Sequence, residues 1–216
     1  MGPLALEDVS AGYGGAPVIG PLSLTIEPGE QVALVGESGA GKSTLLGIMY
    51  TRWREHAALM PQDLGLVQTL SVFHNVFMGR LAVNATWYNL AALVRPFRRD
   101  VDAVQAILER LSIGEKTWAR AGELSGGQRQ RTAVARSLYQ RGGVLLADEP
   151  VSALDGPQAD VVMSELTRAY PTAVLAMHDV ELALRHTQRV IGIRDGAIVL
   201  DEPSAQLCPS DLRGLY

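Results

Sequence analysis

The sequence predicts an α/β fold built around a buried parallel sheet. Three observations carry that expectation. Apolar β-type runs alternate with helical patterns along the 216 residues. The runs QVALVG (31–36), VLLADE (144–149) and AVLAMH (173–178) are continuously apolar up to their ends, as strands covered on both faces are. The first of them leads straight into a glycine-rich turn and then a helical pattern.

The elements follow in chain order. LALEDVS and LSLTIE alternate apolar and polar residues, which predicts half-exposed antiparallel strands, and Pro28-Gly29 marks a turn. A helix is expected after Lys42. From about 64 to 122 the pattern is helical with no parallel-strand run, so this segment is expected as an inserted helical subdomain. The core would then be 1–63 and 123–216. Within the insert, 100–111 reads as a helix with Asp100 as its cap. Val101, Val104, Ile107, Leu108 and Leu111 share one face and are expected to pack in the core. Further helices are expected after Gly127, after Pro157 and around 180–186. RVIGIRDGAIVL reads as a hairpin turning at Asp195-Gly196.

Composition narrows the classes. Apolar residues make up 47% and charged residues 19%, as in an ordinary folded domain, and the net charge of −4 gives no sign of nucleic acid binding. A single cysteine, Cys208, excludes an internal disulfide framework and a cysteine-based zinc site. A reducing, intracellular setting fits. The opening MGPLALEDVS has no basic region followed by an apolar core, so no signal peptide is expected. No apolar run approaches the roughly 18 residues of a membrane span. If the protein works at a membrane, another chain must supply the spans.

The chemistry-bearing motifs begin with GESGAGKST, residues 36–44. It matches G-x-x-x-x-G-K-[ST] after an apolar strand. Gly36 and Gly41 permit a turn whose N–H groups face phosphate oxygens. Lys42 brings a positive charge to the β- and γ-phosphates. The Ser43 hydroxyl is a hard oxygen ligand suited to Mg²⁺. VLLADEP ends a buried strand on two carboxylates, Asp148 and Glu149. Asp148 is placed to hold an Mg²⁺ shell, and Glu149 to take a proton from attacking water. A solvated acidic turn is the bland alternative. His178 ends the next apolar strand, where it can bond a γ-phosphate, although a lone histidine is more often structural. Gln62, in LMPQD, follows a short apolar run and has an amide for Mg²⁺ or water. LSGGQRQR (124–131) looks like a second anion-binding turn opening a helix.

Together these pieces resemble the ATP-binding cassette (ABC) family of transporter ATPases, over most of the chain and in the family's motif order. GESGAGKST (Gly36, Glu37, Ser38, Gly39, Ala40, Gly41, Lys42, Ser43, Thr44) resembles its Walker A. Gln62 resembles the Q-loop glutamine, VLLADEP the Walker B, and His178 the switch histidine. LSGGQ matches the family signature, with Ser125, Gly126, Gly127 and Gln128. SALD (152–155) resembles the D-loop and adds Asp155. Tyr13, in SAGYGG, stands where the family places an aromatic ring under adenine.

The resemblance implies a P-loop NTPase fold, with an ABC-type core, the inserted helical subdomain and a trimmed antiparallel β-subdomain. It implies ATP and Mg²⁺ as cofactors, with Gln62, Glu149 and His178 in catalysis and Ser43, Gln62 and Asp148 at the metal. It also implies a second ATPase subunit in a head-to-tail homodimer, so that the signature of one chain completes the site at Lys42 of the other. An integral membrane permease and, through it, a solute-binding protein complete the implied assembly, at the cytoplasmic face of the inner membrane. LSVFHNVFMGRL (70–81) and ATWYNLAALVRPFRRD resemble phosphonate-import ATPases. Trp87, Tyr88, Leu90 and Phe97 there are either a docking surface or packing of the helical subdomain.

One departure stands out. Only 20 positions separate Lys42 from Gln62, where the family carries a longer stretch with another strand pair. The competing class is a soluble ABC ATPase that serves an enzyme or regulatory complex instead of a permease.

Overall fold

The computed structural model describes residues 2–13 and 16–216, and their side chains except those of Tyr13, Ala16 and Pro17. The strands are β1 (Leu4–Tyr13), β2 (Ala16–Ile26), β3 (Gln31–Val35), β4 (Ala57–Met60), β5 (Val144–Asp148), β6 (Thr172–Ala176), β7 (Arg189–Arg194) and β8 (Ala197–Pro203). The helices are α1 (Lys42–Trp53), α2 (Val72–Phe77), α3 (Thr86–Val94), α4 (Arg98–Arg110), α5 (Gly126–Gln140), α6 (Gly156–Ala169), α7 (Val180–His186) and α8 (Pro209–Leu212). They form two compact units, one of Met1–Gln62, Gly142–Ser152 and Tyr170–Tyr216, the other of Asp63–Arg141 and Ala153–Ala169.

The first unit carries both sheets. β1 and β2 pair antiparallel, Leu4 opposite Ile26 and Leu6 opposite Leu24. Their alternation buries Leu4, Leu6, Leu22, Leu24 and Ile26 on one face and leaves Ala5 and Glu7 exposed. The second sheet has the order β4-β5-β6-β3-β7-β8. Its first five strands in that order run parallel, and β8 returns antiparallel to β7. Asp195 and Gly196 make that return with φ of 49° and 73°, the left-handed pair a two-residue hairpin needs. β3, β5 and β6 are almost wholly buried, which explains their unbroken apolar runs. α1 lays Leu45, Leu46, Met49 and Trp53 into the same core. β4 is an edge strand parallel to β5. It is the short apolar run ahead of Gln62, and four residues are too few for periodicity to tell a strand from a helix end.

The second unit is helical. α2 and α4 pack on α5, and α6 packs on α5 from within the same unit. The segment 64–122 marked out by its pattern therefore clusters with α5 and α6, because α5 supplies the surface its helices bury against. Asp100 does not cap α4. The N-cap position is Phe97, and Asp100 lies inside the first turn, only 6% exposed. Its carboxylate accepts from the Tyr88 hydroxyl at 2.5 Å and the Tyr139 hydroxyl at 2.8 Å. Those bonds outweigh capping because the site is buried and a carboxylate there must be satisfied. The Asp100 bond raises the Tyr88 phenol, and burial, with that carboxylate second, raises Tyr139.

The aromatic stretch divides. Tyr88 and Phe97 stack at 4.4 Å, while Trp87 and Leu90 are 69% and 63% exposed. Asp100→Ala strands the buried Tyr139 hydroxyl. It is expected to cost the fold roughly 2–4 kcal/mol, read as a lowered urea midpoint.

Candidate functional site

The loop between β3 and α1 folds as its glycines require. Gly36 has φ 146°, and a Cβ there would lie 2.2 Å from the Ile193 carbonyl oxygen. Gly41 is the N-cap of α1 with φ 107°, and no side chain caps that helix. Its first-turn N–H groups are therefore left for an anion, where the helix dipole also favours negative charge. Lys42 opens α1 and is 5% exposed. Its ammonium donates to the carbonyls of Gly36 at 2.6 Å and Glu37 at 2.9 Å. Burial pulls its pKa below the usual lysine range, and the charges of Glu149 and Asp148 partly restore it.

Three strand ends deliver the polar partners. Asp148, at the end of β5, is 7% exposed. Glu149 follows with φ 52°, an uncommon conformation for a non-glycine residue. Its N–H is held by the Ala176 carbonyl at 3.0 Å. Holding a side-chain-bearing residue there costs on the order of 1–3 kcal/mol, which the surrounding structure must supply. The turn brings Glu149 Oε1 to 2.8 Å from Nε2 of His178, just past β6. Gln62 lies just past β4. Ser38, Gly39, Gly41, Lys42, Ser43, Thr44, Gln62, Asp148, Glu149 and His178 line one cavity of about 230 Å³, together with Val18. This is the carboxyl edge of a parallel sheet, where such folds bind ligands.

Gly36, Glu37 and Ala40 shape the loop without lining the cavity. Val18 was not foreseen; one apolar residue on an alternating strand carries no sequence signal. The Tyr13 side chain lies outside the described residues. A second, open groove of about 720 Å³ shares Ser43 and Thr44 with the cavity. It runs along α1 and β1, between Leu6, Val9, Ala11 and Gly12 on one side and Gly47, Ile48, Thr51 and Arg52 on the other.

The donors suit Mg²⁺. A hydroxyl (Ser43), an amide (Gln62) and a carboxylate (Asp148) are hard oxygen ligands around one cavity. Among the described residues no three His, Cys, Asp or Glu gather into a self-sufficient metal cluster. An ion here would rely on phosphate oxygens and water for the rest of its shell, which is how Mg²⁺ is usually bound.

The signature segment belongs to the second unit. Ser125 caps α5 in a reciprocal box: its Oγ accepts from Gln128 N–H at 3.3 Å, and Gln128 Oε1 accepts from Ser125 N–H at 3.0 Å. Ser125 and Gly126 are exposed. A Cβ on Gly127 would press the Ala153 carbonyl at 3.1 Å. Gln130 is buried and accepts from Ala153 N–H at 2.6 Å, while Arg129 and Arg131 donate to backbone carbonyls. These three residues support packing. Asp155 accepts from the Gln158 backbone at 3.0 Å and its side chain at 2.7 Å, the work of a helix cap.

The family described as ABC transporter matches residues 19–53 and 49–152. A Phosphonates import ATP-binding protein PhnC of Anaeromyxobacter dehalogenans is 37% identical over 99% of this chain, which spans 48% of that relative's length. PhnC 1 of Halalkalibacterium halodurans is also 37% identical, over 99% of this chain and 94% of its own. These alignments run over 240 and 243 positions against 216 residues, so the relatives carry stretches this chain lacks. A bacterial ABC transporter cassette solved as a dimer superposes with a TM-score of 0.77 at 24% identity, covering 93% of this chain and 98% of that one. A post-hydrolysis form of the same cassette, bound to ADP and phosphate, gives 0.75 over the same shares at 24% identity. The fold is that of an ABC cassette.

Proposed function

The chain belongs to the ABC transporter family, and from that premise we propose that it binds Mg²⁺-ATP and hydrolyses it to drive a membrane importer. The observation that carries this reading is the Glu149–His178 pair, 2.8 Å apart, on the same cavity as Lys42, Ser43 and Asp148. A carboxylate held by an imidazole beside a phosphate cradle is equipped to take a proton from water.

The chemistry follows from these groups. The phosphates enter the cradle of loop N–H groups, and the Lys42 ammonium exchanges the Gly36 and Glu37 carbonyls for phosphate oxygens. Ser43, Gln62 and Asp148 would hold Mg²⁺, which neutralises phosphate charge when bound. Glu149 accepts a proton as the water oxygen bonds to the γ-phosphorus. The bond from that phosphorus to the bridging oxygen breaks, leaving ADP and phosphate. The His178 Nε2–H that meets Glu149 would be shared with a γ-phosphate oxygen, fixing the group that is transferred. Catalysis of this kind is mainly positioning and electrostatics. The nucleoside half would lie in the groove along α1, which meets the cavity at Ser43 and Thr44.

The Ser125-Gly126-Gly127-Gln128 turn, exposed at its first two residues, is best read as the completing half of a second subunit's site. In this reading Ser125 accepts from Gln128 N–H as a cap and donates its hydroxyl hydrogen to a phosphate oxygen. ATP would close the homodimer and hydrolysis would open it. No helix among the described residues is long and apolar enough to cross a membrane, so the spans would come from a permease partner, with a solute-binding protein beyond it. The subunit would sit at the cytoplasmic face of the membrane. The names of the relatives point to phosphonate or a related small solute as cargo.

Mixing variants tests the shared site. Lys42→Ala and Ser125→Arg subunits are each expected to be inactive alone. In an equal mixture about half the dimers are heterodimers with one intact site, so ATPase activity should return. Proven heterodimers with no activity would overturn the shared site. Purification from detergent-solubilised membranes tests the assembly: a multispan protein that copurifies supports the importer, and a soluble enzyme complex in its place overturns it.

A further inference from the structure

Tyr216 stands beside His178 and is bonded to the residue before it. The turn Arg213–Leu215 that delivers it is anchored on β7. Leu215 is buried against Gly192 so closely that a Cβ on that glycine would lie 2.7 Å from the leucine Cδ1. From there the Tyr216 hydroxyl donates to the Met177 carbonyl at 3.2 Å, in the residue that precedes His178. The ring centroid is 6.1 Å from that of the imidazole, at a tilt of 53°. Burial raises the phenol above its ordinary range.

His178 needs such support. Its side chain is 43% exposed, and Glu149 holds it through Nε2. An imidazole this open to water samples several rotamers, and each misdirected one takes it off the carboxylate.

We propose that Tyr216 is a positioning residue for His178: its hydroxyl holds the Met177 carbonyl just before the histidine, and its ring limits the imidazole to the orientation that faces Glu149. The inference rests on the ATPase reading of the same cavity, because only then does the direction of His178 affect a rate. It gives a role to a residue outside the lining of the phosphate cavity that sits against the end of β6, where sequence offers no motif.

The test uses the full chain with Tyr216→Ala and Tyr216→Phe. Tyr216→Ala is expected to lower kcat about tenfold while KM and Kd for ATP stay within about twofold. Tyr216→Phe keeps the ring and loses the hydroxyl, so about a threefold loss is expected. In a His178→Ala background, Tyr216→Ala should add no further loss, since the residue it positions is gone. An unchanged kcat, an equal loss in the His178→Ala background, or a loss seen only in ATP affinity each overturns the proposal. If Tyr216→Ala does not fold, as judged by thermal melting, Tyr216→Phe and its His178→Ala double variant decide alone. Wild-type protein that hydrolyses no ATP overturns the ATPase reading first, and this inference with it. Wild-type hydrolysis with insensitive Tyr216 variants overturns this inference only.

Discussion

Glu149→Gln is expected to bind ATP as tightly as the wild type and to hydrolyse it about 10²–10⁴-fold more slowly, the usual worth of a positioned general base. The amide is the same size as the carboxylate and can still bond His178 Nε2 at the present 2.8 Å. The cavity therefore keeps its shape while the proton acceptor is lost. Because hydrolysis is the step that opens the dimer in this mechanism, the variant should accumulate as a closed dimer with ATP. Gel filtration with and without nucleotide reads that population, and a phosphate-release assay reads the rate. Wild-type turnover in Glu149→Gln would remove the base from this residue. Loss of ATP binding instead would show that the strained backbone at Glu149, with φ 52°, had been carrying the loop's shape.

Lys42→Ala should act one step earlier, on nucleotide binding itself. Lys42 is 5% exposed and its ammonium is bonded to two loop carbonyls, so little further dehydration is needed when a phosphate replaces them. A charge-assisted bond of this kind contributes about 1.5–3 kcal/mol, which corresponds to roughly 10- to 150-fold in Kd. Titration calorimetry with ATP should show that loss. The fold should survive, because the loop conformation is set by Gly36 and Gly41 and not by the lysine side chain. Unchanged affinity with normal melting would contradict the role given to Lys42.

The candidate site was unusually open to reading because its chemistry restricts residue type position by position. A phosphate turn needs glycine where φ is positive. A hard cation needs oxygen donors, and a proton acceptor must be one of a few titratable residue types. Such demands leave a local string that can be read without neighbours. The segment after Lys42 was harder. β4 is four residues long, and its strand identity comes from pairing with β5, some 87 positions away along the chain (Ala57 opposite Val144). Asp100 was misread for the same kind of reason. Its position before an apolar helical face satisfies every local rule for a cap, yet Tyr139, which claims it, lies 39 residues on. Burial then decides, since an unsatisfied carboxylate costs more than an absent cap contributes.

By itself the sequence determined the parallel α/β core, the phosphate loop, the acidic strand end and the signature turn, because each depends on residues within about one helical turn or one strand of each other. Tertiary structure decided what those residues face. Only the sheet order β4-β5-β6-β3-β7 carries Gln62, Glu149, His178 and Lys42 to one cavity edge. Only the packing of Leu215 on Gly192 brings Tyr216 beside the histidine. Hydrophobic burial sets strand order without regard to separation along the chain, so contacts across long loops leave no mark on either partner's local pattern.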